Sequence, residues 1–212
     1  MIFSENSRQK TSNSNKKAPC LKIAGLSVVR GQRLVIDSLD HIQEIGELCL
    51  VTGSNGAGKS TLLRTIAGRL PIESGHIICN LPCFYLGHTD GLSGFLSGRK
   101  NLQSWVDVNK LDTNSDDIDQ ALSWFNTTEF ADTPVQLLSR GQRRRLALSR
   151  LLLAPADSIW LLDEPNTGVD KRNKIQLESA ISNHLLAGGA VIAATHIAIA
   201  KSIASVNLVM DS

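Results

Sequence analysis

The sequence predicts an α/β protein with a central, mainly parallel sheet, an N-terminal antiparallel β part and an inserted helical lobe. Three observations support this prediction. Short apolar runs alternate with helical patterns, which is typical of parallel strands covered by helices. A glycine-rich loop joins one of these apolar runs to a helix at residues 53–60. Residues 89–135 are polar and helical in pattern, and they interrupt the alternation.

The N-terminal half begins with a polar segment. Residues 1–18 carry four basic side chains and one acidic side chain, and they lack the apolar stretch of a secretory signal. We interpret them as a disordered tail, with a mitochondrial transit peptide as the alternative. Residues 19–212 are expected to form one domain. Turn residues, glycines and apolar runs then predict strands at 21–29, 33–43, 47–52, 77–78 and 84–86, and a helix at 60–67 that ends at Gly68.

The rest of the sequence predicts a helical lobe at about residues 89–152, followed by further strands of the sheet. Helical stretches near 99–106 and 118–125 precede a strong helical pattern at 140–153. An apolar run at 158–162 predicts a buried strand, and a helix at 171–186 is expected to end at the glycine pair 188–189. Strands at 190–195 and 207–210 complete the predicted sheet.

Composition excludes some functions. Apolar residues make up 42% of the chain, charged residues 20%, and the formal net charge is +2. This is an ordinary globular composition, and the charge is too small to favour nucleic-acid binding. We therefore interpret the run Arg143-Arg144-Arg145 as a solvated helix face. No apolar stretch reaches the length of about 20 residues that a membrane-spanning helix requires. The four cysteines (Cys20, Cys49, Cys79 and Cys83) are expected to be reduced and mostly buried.

The glycine-rich loop has the pattern G-x-x-x-x-G-K-[ST]. Glycines allow successive backbone N–H groups to face one phosphate, and the start of the following helix adds positive potential. Lys59 is expected to reach the β- and γ-phosphates of a nucleotide, and Ser60 is expected to bind Mg²⁺. The predicted nucleotide-binding residues here are Gly53, Ser54, Asn55, Gly56, Ala57, Gly58, Lys59, Ser60 and Thr61.

Two carboxylates follow the apolar run at 158–162. Functional groups gather beyond the carboxyl ends of parallel strands, so Asp163 is expected to hold Mg²⁺ directly or through water. Glu164 lies one residue further, where a carboxylate can act as general base on an attacking water. An Asp-Glu pair at a strand end is usually structural, and only the phosphate loop gives this pair a catalytic interpretation.

The segment Leu138-Ser139-Arg140-Gly141-Gln142 resembles the LSGGQ signature of ABC ATPases, with arginine in place of the first glycine. The resemblance covers about residues 21–211, and it implies an ATPase that works as a head-to-tail dimer. Ser139, Gly141 and Gln142 would then contact ATP held by the other protomer. By the same resemblance, Asp170 is the D-loop aspartate and His196 is the H-loop histidine that contacts the γ-phosphate.

Two positions depart from the general family pattern. Arg30 stands where many members have an aromatic residue, and its guanidinium could stack on adenine instead. His88 stands in place of the Q-loop glutamine, where it could still bind water or a metal-bound oxygen near the reaction centre. These details, the short length and the segment Tyr85-Leu86-Gly87-His88 resemble the ATP-binding subunits of cytochrome c maturation haem exporters.

That resemblance implies partners and leaves alternatives open. It implies ATP and Mg²⁺ as cofactors, a homodimer, and integral membrane subunits similar to CcmB and CcmC, with the chain on the cytoplasmic face of the inner membrane or, alternatively, on a mitochondrial inner membrane. The first alternative function is the ATPase of an exporter for a lipid, lipoprotein or peptide. The second is a soluble ABC-type protein acting on ribosomes or DNA, which the absence of a heptad run disfavours.

Overall fold

The computed structural model describes residues 19–195 and 205–210. In this part of the chain, five parallel strands form one sheet in the order β5-β6-β7-β3-β8, and three antiparallel strands form a second sheet in the order β2-β1-β4. The predicted fold class is confirmed. The strands are β1 (Leu21–Arg30), β2 (Arg33–Gln43), β3 (Leu48–Gly53), β4 (Ser74–Cys79), β5 (Cys83–Leu86), β6 (Ile159–Asp163), β7 (Ala190–Ala194) and β8 (Ser205–Met210), and the α-helices are α1 (Lys59–Ile66), α2 (Gly98–Asn109), α3 (Ser115–Trp124), α4 (Arg140–Ser149) and α5 (Lys171–Leu186).

The centre of the parallel sheet consists of strands that are apolar on both faces. Every residue of β6 and β7 is buried, as expected for strands covered on both sides. The register pairs Leu48 with Val191 and Asp163 with Ala194. Strands β3 and β6 therefore end at the same edge of the sheet, which brings the glycine-rich loop and the two acidic residues together.

The antiparallel sheet packs against the same core. Strands β1 and β2 form a hairpin whose turn includes Gly31 at φ 64°, a conformation that glycine adopts without strain. Strand β4 pairs with the other edge of β1 and is longer than the predicted strand at 77–78, because backbone pairing with β1 extends it through exposed residues. Buried residues of β1, β3 and α1 share one apolar cluster that joins the two sheets.

The chain between β5 and β6 is mainly helical. Helices α2, α3 and α4 enclose a separate apolar cluster that includes Leu102, Leu122 and Leu146. The predicted helix at 140–153 is wrong in its last turn: α4 ends at Ser149, and residues Arg150–Leu153 form a 3₁₀ helix. Ala154 is extended because it precedes Pro155, whose ring disfavours helical backbone at that position. The boundaries 89 and 152 of the lobe stay a prediction, and the proposed tail at 1–18 lies outside the described residues.

Candidate active site

The phosphate loop connects the end of β3 to the start of α1. Gly58 caps α1 in the left-handed region at φ 101°, and Gly53 ends β3 at φ 140°. A Cβ atom on Gly53 would collide with the backbone carbonyl of Met210 at the end of β8. The first glycine of the loop is thus required by the packing of two neighbouring strands as well as by its dihedral angle.

The side chain of Lys59 lies along this loop. Its Nζ donates to the carbonyl oxygens of Gly53 and Ser54, each at 2.8 Å, and the residue is 8% exposed. These bonds hold the ammonium charge beside a cavity of about 260 Å³. The cavity is lined by Asn55, Gly56, Gly58, Lys59, Ser60, Thr61, Asp163 and Glu164.

Two oxygen ligands of the kind that Mg²⁺ prefers meet at the edge of this cavity. Ser60 is the second residue of α1, and its hydroxyl donates to Oδ1 of Asp163 at 2.9 Å, although the two residues are 103 positions apart. The other carboxylate oxygen, Oδ2, accepts a hydrogen bond from the hydroxyl of Tyr85 at 3.2 Å. Asp163 is 2% exposed, so both oxygens are fixed in direction. The donor set and its rigidity fit a small divalent cation bound with phosphate oxygens.

Glu164 has an unusual backbone conformation. Its φ of 49° lies in the left-handed region, which costs free energy for a residue other than glycine. Its N–H donates to the carbonyl of Ala194 at 2.9 Å, and its own carbonyl accepts from Nη2 of Arg144 at 2.9 Å. The turn places Glu164 at the cavity next to Asp163. A carboxylate at this position is suited to polarise a water molecule beside a bound phosphate.

The residues of the signature lie away from that cavity. Ser139 caps α4: its Oγ accepts from the N–H of Gln142 at 3.2 Å, and the Gln142 side chain accepts from the Ser139 N–H at 2.8 Å. A Cβ atom on Gly141 would lie 3.4 Å from the carbonyl of Gly168. Ser139 is exposed, and the helix start behind it can face an anion carried by another molecule.

Asp170 caps the start of α5. Its carboxylate accepts from the backbone N–H of Asn173 at 2.9 Å and from the Asn173 side chain at 2.8 Å. These two hydrogen bonds lower the pKa of Asp170 below its usual range. The D-loop role stays a prediction. His196, the expected contact of the γ-phosphate, lies outside the described residues.

The two departures from the family pattern also lie outside the phosphate cavity. Arg30 is exposed at the end of β1 and does not line it. A second cavity of about 510 Å³ lies beside Gly56 and Ala57, between β2 and the end of β8, and it is lined by Arg33 rather than by Arg30. His88 is exposed, two residues after β5. The predicted roles of Arg30 and His88 therefore require a nucleotide or a partner that reaches them.

The sequence did not predict the contacts of two residues, and the exposure of the arginine run and of the cysteines differs in part from what was expected. Tyr85 and Arg144 touch the acidic turn, but only three-dimensional packing reveals this. The interpretation of the arginine run as solvated is wrong, because Arg144 is 3% exposed and Arg143 and Arg145 are half-buried. Among the cysteines, Cys20 and Cys49 are buried, whereas Cys83 is half-buried and Cys79 is exposed.

Comparison with known proteins places this geometry in context. The profile of the ABC transporter family matches residues 37–167, which hold the phosphate loop and both acids. The chain is 40% identical over 179 residues to the cytochrome c biogenesis ATP-binding export protein CcmA of Hyphomonas neptunium, covering 84% of this chain and 91% of the relative. It is 41% identical over 177 residues to the protein of the same name from Gluconobacter oxydans, covering 84% and 81%.

Solved structures agree with the fold. An ABC transporter ATP-binding protein from Pyrococcus furiosus superposes with a TM-score of 0.75 at 26% identity, covering 90% of this chain and 96% of that chain. An ATP-binding subunit of an ABC transporter gives the same TM-score at 22% identity and supports the fold alone. No helix among residues 19–195 and 205–210 is long and apolar enough to cross a membrane.

Proposed function

Because the chain belongs to the ABC transporter family of ATPases, and its relatives are cytochrome c biogenesis export proteins, we propose that it is the ATP-hydrolysing subunit of a membrane complex that exports or releases haem during c-type cytochrome biogenesis. The observation that carries the ATPase part is the meeting of Ser60 and Asp163 at 2.9 Å, with Glu164 lining the same cavity. The names of the relatives support the part in cytochrome c biogenesis and export.

Each residue of the cavity has a distinct task in this proposal. Backbone N–H groups of the loop and the ammonium of Lys59 bind and orient the β- and γ-phosphates. Ser60 and Asp163 would hold Mg²⁺, which neutralises phosphate charge when it is bound. Glu164 takes a proton from the attacking water, and the left-handed turn keeps its carboxylate beside the phosphate.

A second copy completes the site. Ser139, Gly141 and Gln142 do not line the phosphate cavity of their own chain, whereas the exposed helix start behind Ser139 is suited to an anion. We therefore propose a head-to-tail homodimer, in which the helical lobe at about 89–152 moves the signature toward the partner's ATP. Integral membrane subunits similar to CcmB and CcmC would receive this motion, with the dimer on the cytoplasmic face of the membrane.

The test combines activity with partner identification. The purified full chain should hydrolyse ATP in the presence of Mg²⁺, and Lys59→Ala should lose turnover, because the substitution removes the loop's only ammonium. A pull-down in mild detergent should recover membrane subunits of cytochrome c biogenesis. Normal turnover in Lys59→Ala would contradict the phosphate-loop assignment, and recovery of ribosomes or of subunits for another cargo would contradict the haem role.

A further inference from the structure

One buried arginine on α4 joins the two segments that leave the sheet at the reaction centre. Nη1 of Arg144 donates to the carbonyl of Gly87 at 2.8 Å and contacts Oδ1 of Asp90 at 3.3 Å. Nη2 donates to the carbonyls of Glu164 at 2.9 Å and Asp163 at 3.3 Å. Gly87 and Asp90 follow β5. Asp163 and Glu164 lie at the end of β6, which is the neighbour of β5 in the sheet.

Such an arrangement is costly to build. Arg144 is 3% exposed, and removal of its charge from water requires compensating hydrogen bonds. Burial lowers the pKa of Arg144, and Asp90 opposes that effect. Three of the four bonds go to backbone carbonyls, so only part of the charge is neutralised by a carboxylate. Arg144 thus fixes backbone positions, and a planar fork of donors suits this task better than a lysine would.

The carbonyl that Nη2 holds belongs to the strained residue of the site. Glu164 keeps φ at 49°, with its N–H bonded to Ala194 and its C=O accepting from Nη2 of Arg144 at 2.9 Å and from the Thr167 N–H at 3.2 Å. A strained backbone at a functional site persists only where its surroundings over-determine it. The other arm of the same guanidinium holds Gly87, the neighbour of His88. Beyond the paired ends of β5 and β6, one side chain therefore links the His88 segment to the Glu164 turn.

We propose that Arg144 is a positioning residue for ATP hydrolysis: its guanidinium holds the Glu164 turn and the His88 segment in one arrangement, and the same helix, α4, begins at the signature. The inference rests on the proposed ATPase function of the Asp163–Glu164 turn. It assigns Arg144 an effect on the chemical step and a smaller effect on ATP binding, because the residue does not line the phosphate cavity.

The substitution Arg144→Lys tests this with a matched control. Lysine keeps the charge but presents its donors from one atom, so it cannot hold both segments. A displacement of the general base by about 1 Å reduces turnover by up to a hundredfold, so kcat is expected to fall roughly tenfold to hundredfold. The KM for ATP and the affinity for a fluorescent ATP analogue should change less than about threefold, since uniform binding is retained.

Arg150→Lys is the control. Arg150 donates to the carbonyls of Asp90 at 3.0 Å and Gly91 at 2.8 Å, so it supports the same loop without touching the Glu164 turn. Both variants are assayed well below their melting temperatures. The proposal expects kcat of Arg150→Lys to remain within about twofold of wild type. An unchanged kcat in Arg144→Lys, or an equal loss in both variants, would overturn it.

A milder variant covers the case in which Arg144→Lys does not fold. Asp90→Asn removes the charge partner of Nη1 at a side chain that is 19% exposed, and kcat should fall about threefold with KM unchanged. A change in KM alone would contradict the positioning role. If wild type itself fails to hydrolyse ATP, the proposed function fails first, and this inference falls with it.

Discussion

The hydroxyl of Tyr85 is the most direct probe of Asp163 as a proposed metal ligand, because it can be removed without changing packing. It donates to Oδ2 of Asp163 at 3.2 Å and accepts from Nε of Arg64 at 3.3 Å. The guanidinium of Arg69 lies 4.7 Å from the ring centroid. Tyr85→Phe keeps the ring and this cation–π contact and deletes both hydrogen bonds. Asp163 then loses the contact that orients its second oxygen.

The expected magnitude follows from the geometry. A hydrogen bond to a charged group contributes about 1.5–3 kcal/mol, and the long distance and the half-buried tyrosine place this one at or below the lower end. A loss of about 0.7–1.4 kcal/mol corresponds to a threefold to tenfold change in an equilibrium constant. Removal of a hydrogen bond to a residue that binds a metal generally lowers the metal affinity tenfold or more. The Mg²⁺ concentration for half-maximal hydrolysis should therefore rise about threefold to tenfold.

The assay is a Mg²⁺ titration of ATP hydrolysis at saturating ATP, with Ser60→Ala as the reference for a lost ligand. Tyr85→Phe should regain nearly wild-type turnover at high Mg²⁺, and its nucleotide affinity in EDTA should equal that of wild type. Ser60→Ala should shift the titration further. A Mg²⁺ dependence in Tyr85→Phe that equals wild type would refute the claim that Tyr85 orients Asp163.

Two further predictions concern the loop and the thiols. Gly53→Ala should lower the free energy of unfolding by more than about 3 kcal/mol, because a Cβ there collides with the Met210 carbonyl. Gly56→Ala has open space around its Cβ and should lower it by only about 1–2 kcal/mol, through backbone strain. Chemical denaturation measures both variants, and equal losses would contradict the packing argument. Maleimide should modify Cys79 first, because it is exposed and the Cys83 hydrogen bond lowers its pKa. Burial raises the pKa of Cys20 to about 11 and of Cys49 to about 12, so these two thiols should react only after unfolding. Peptide mass spectrometry measures the order in which the thiols are labelled, and early labelling of Cys49 would contradict this prediction.

Much of the fold could be predicted from local patterns. The bounds of β2 and α5 agree with the sequence prediction, because turn residues and caps mark their ends. The meeting of the phosphate loop with Asp163 also followed from strand order, since parallel strands end at one edge. The extra length of β4 could not be predicted, because it depends on pairing with β1.

The contacts around the acids depend on tertiary packing. Arg144 stands in a run of three arginines, and the sequence does not distinguish the one that α4 turns inward. Tyr85 reaches Asp163 only because β5 and β6 are paired in register, with Tyr85 opposite Leu161. The same limit applies to Arg30, whose position at the end of β1 is known while its contact with a nucleotide stays a prediction.

The central claim is that Glu164 acts as general base on ATP bound at the phosphate loop. The most direct measurement is the turnover of Glu164→Gln together with its equilibrium affinity for ATP. The amide is isosteric and cannot accept the proton, so turnover should fall by about 10²-fold or more while ATP affinity stays within a few-fold of wild type. Near-normal turnover in Glu164→Gln would contradict the account and remove Glu164 from this role.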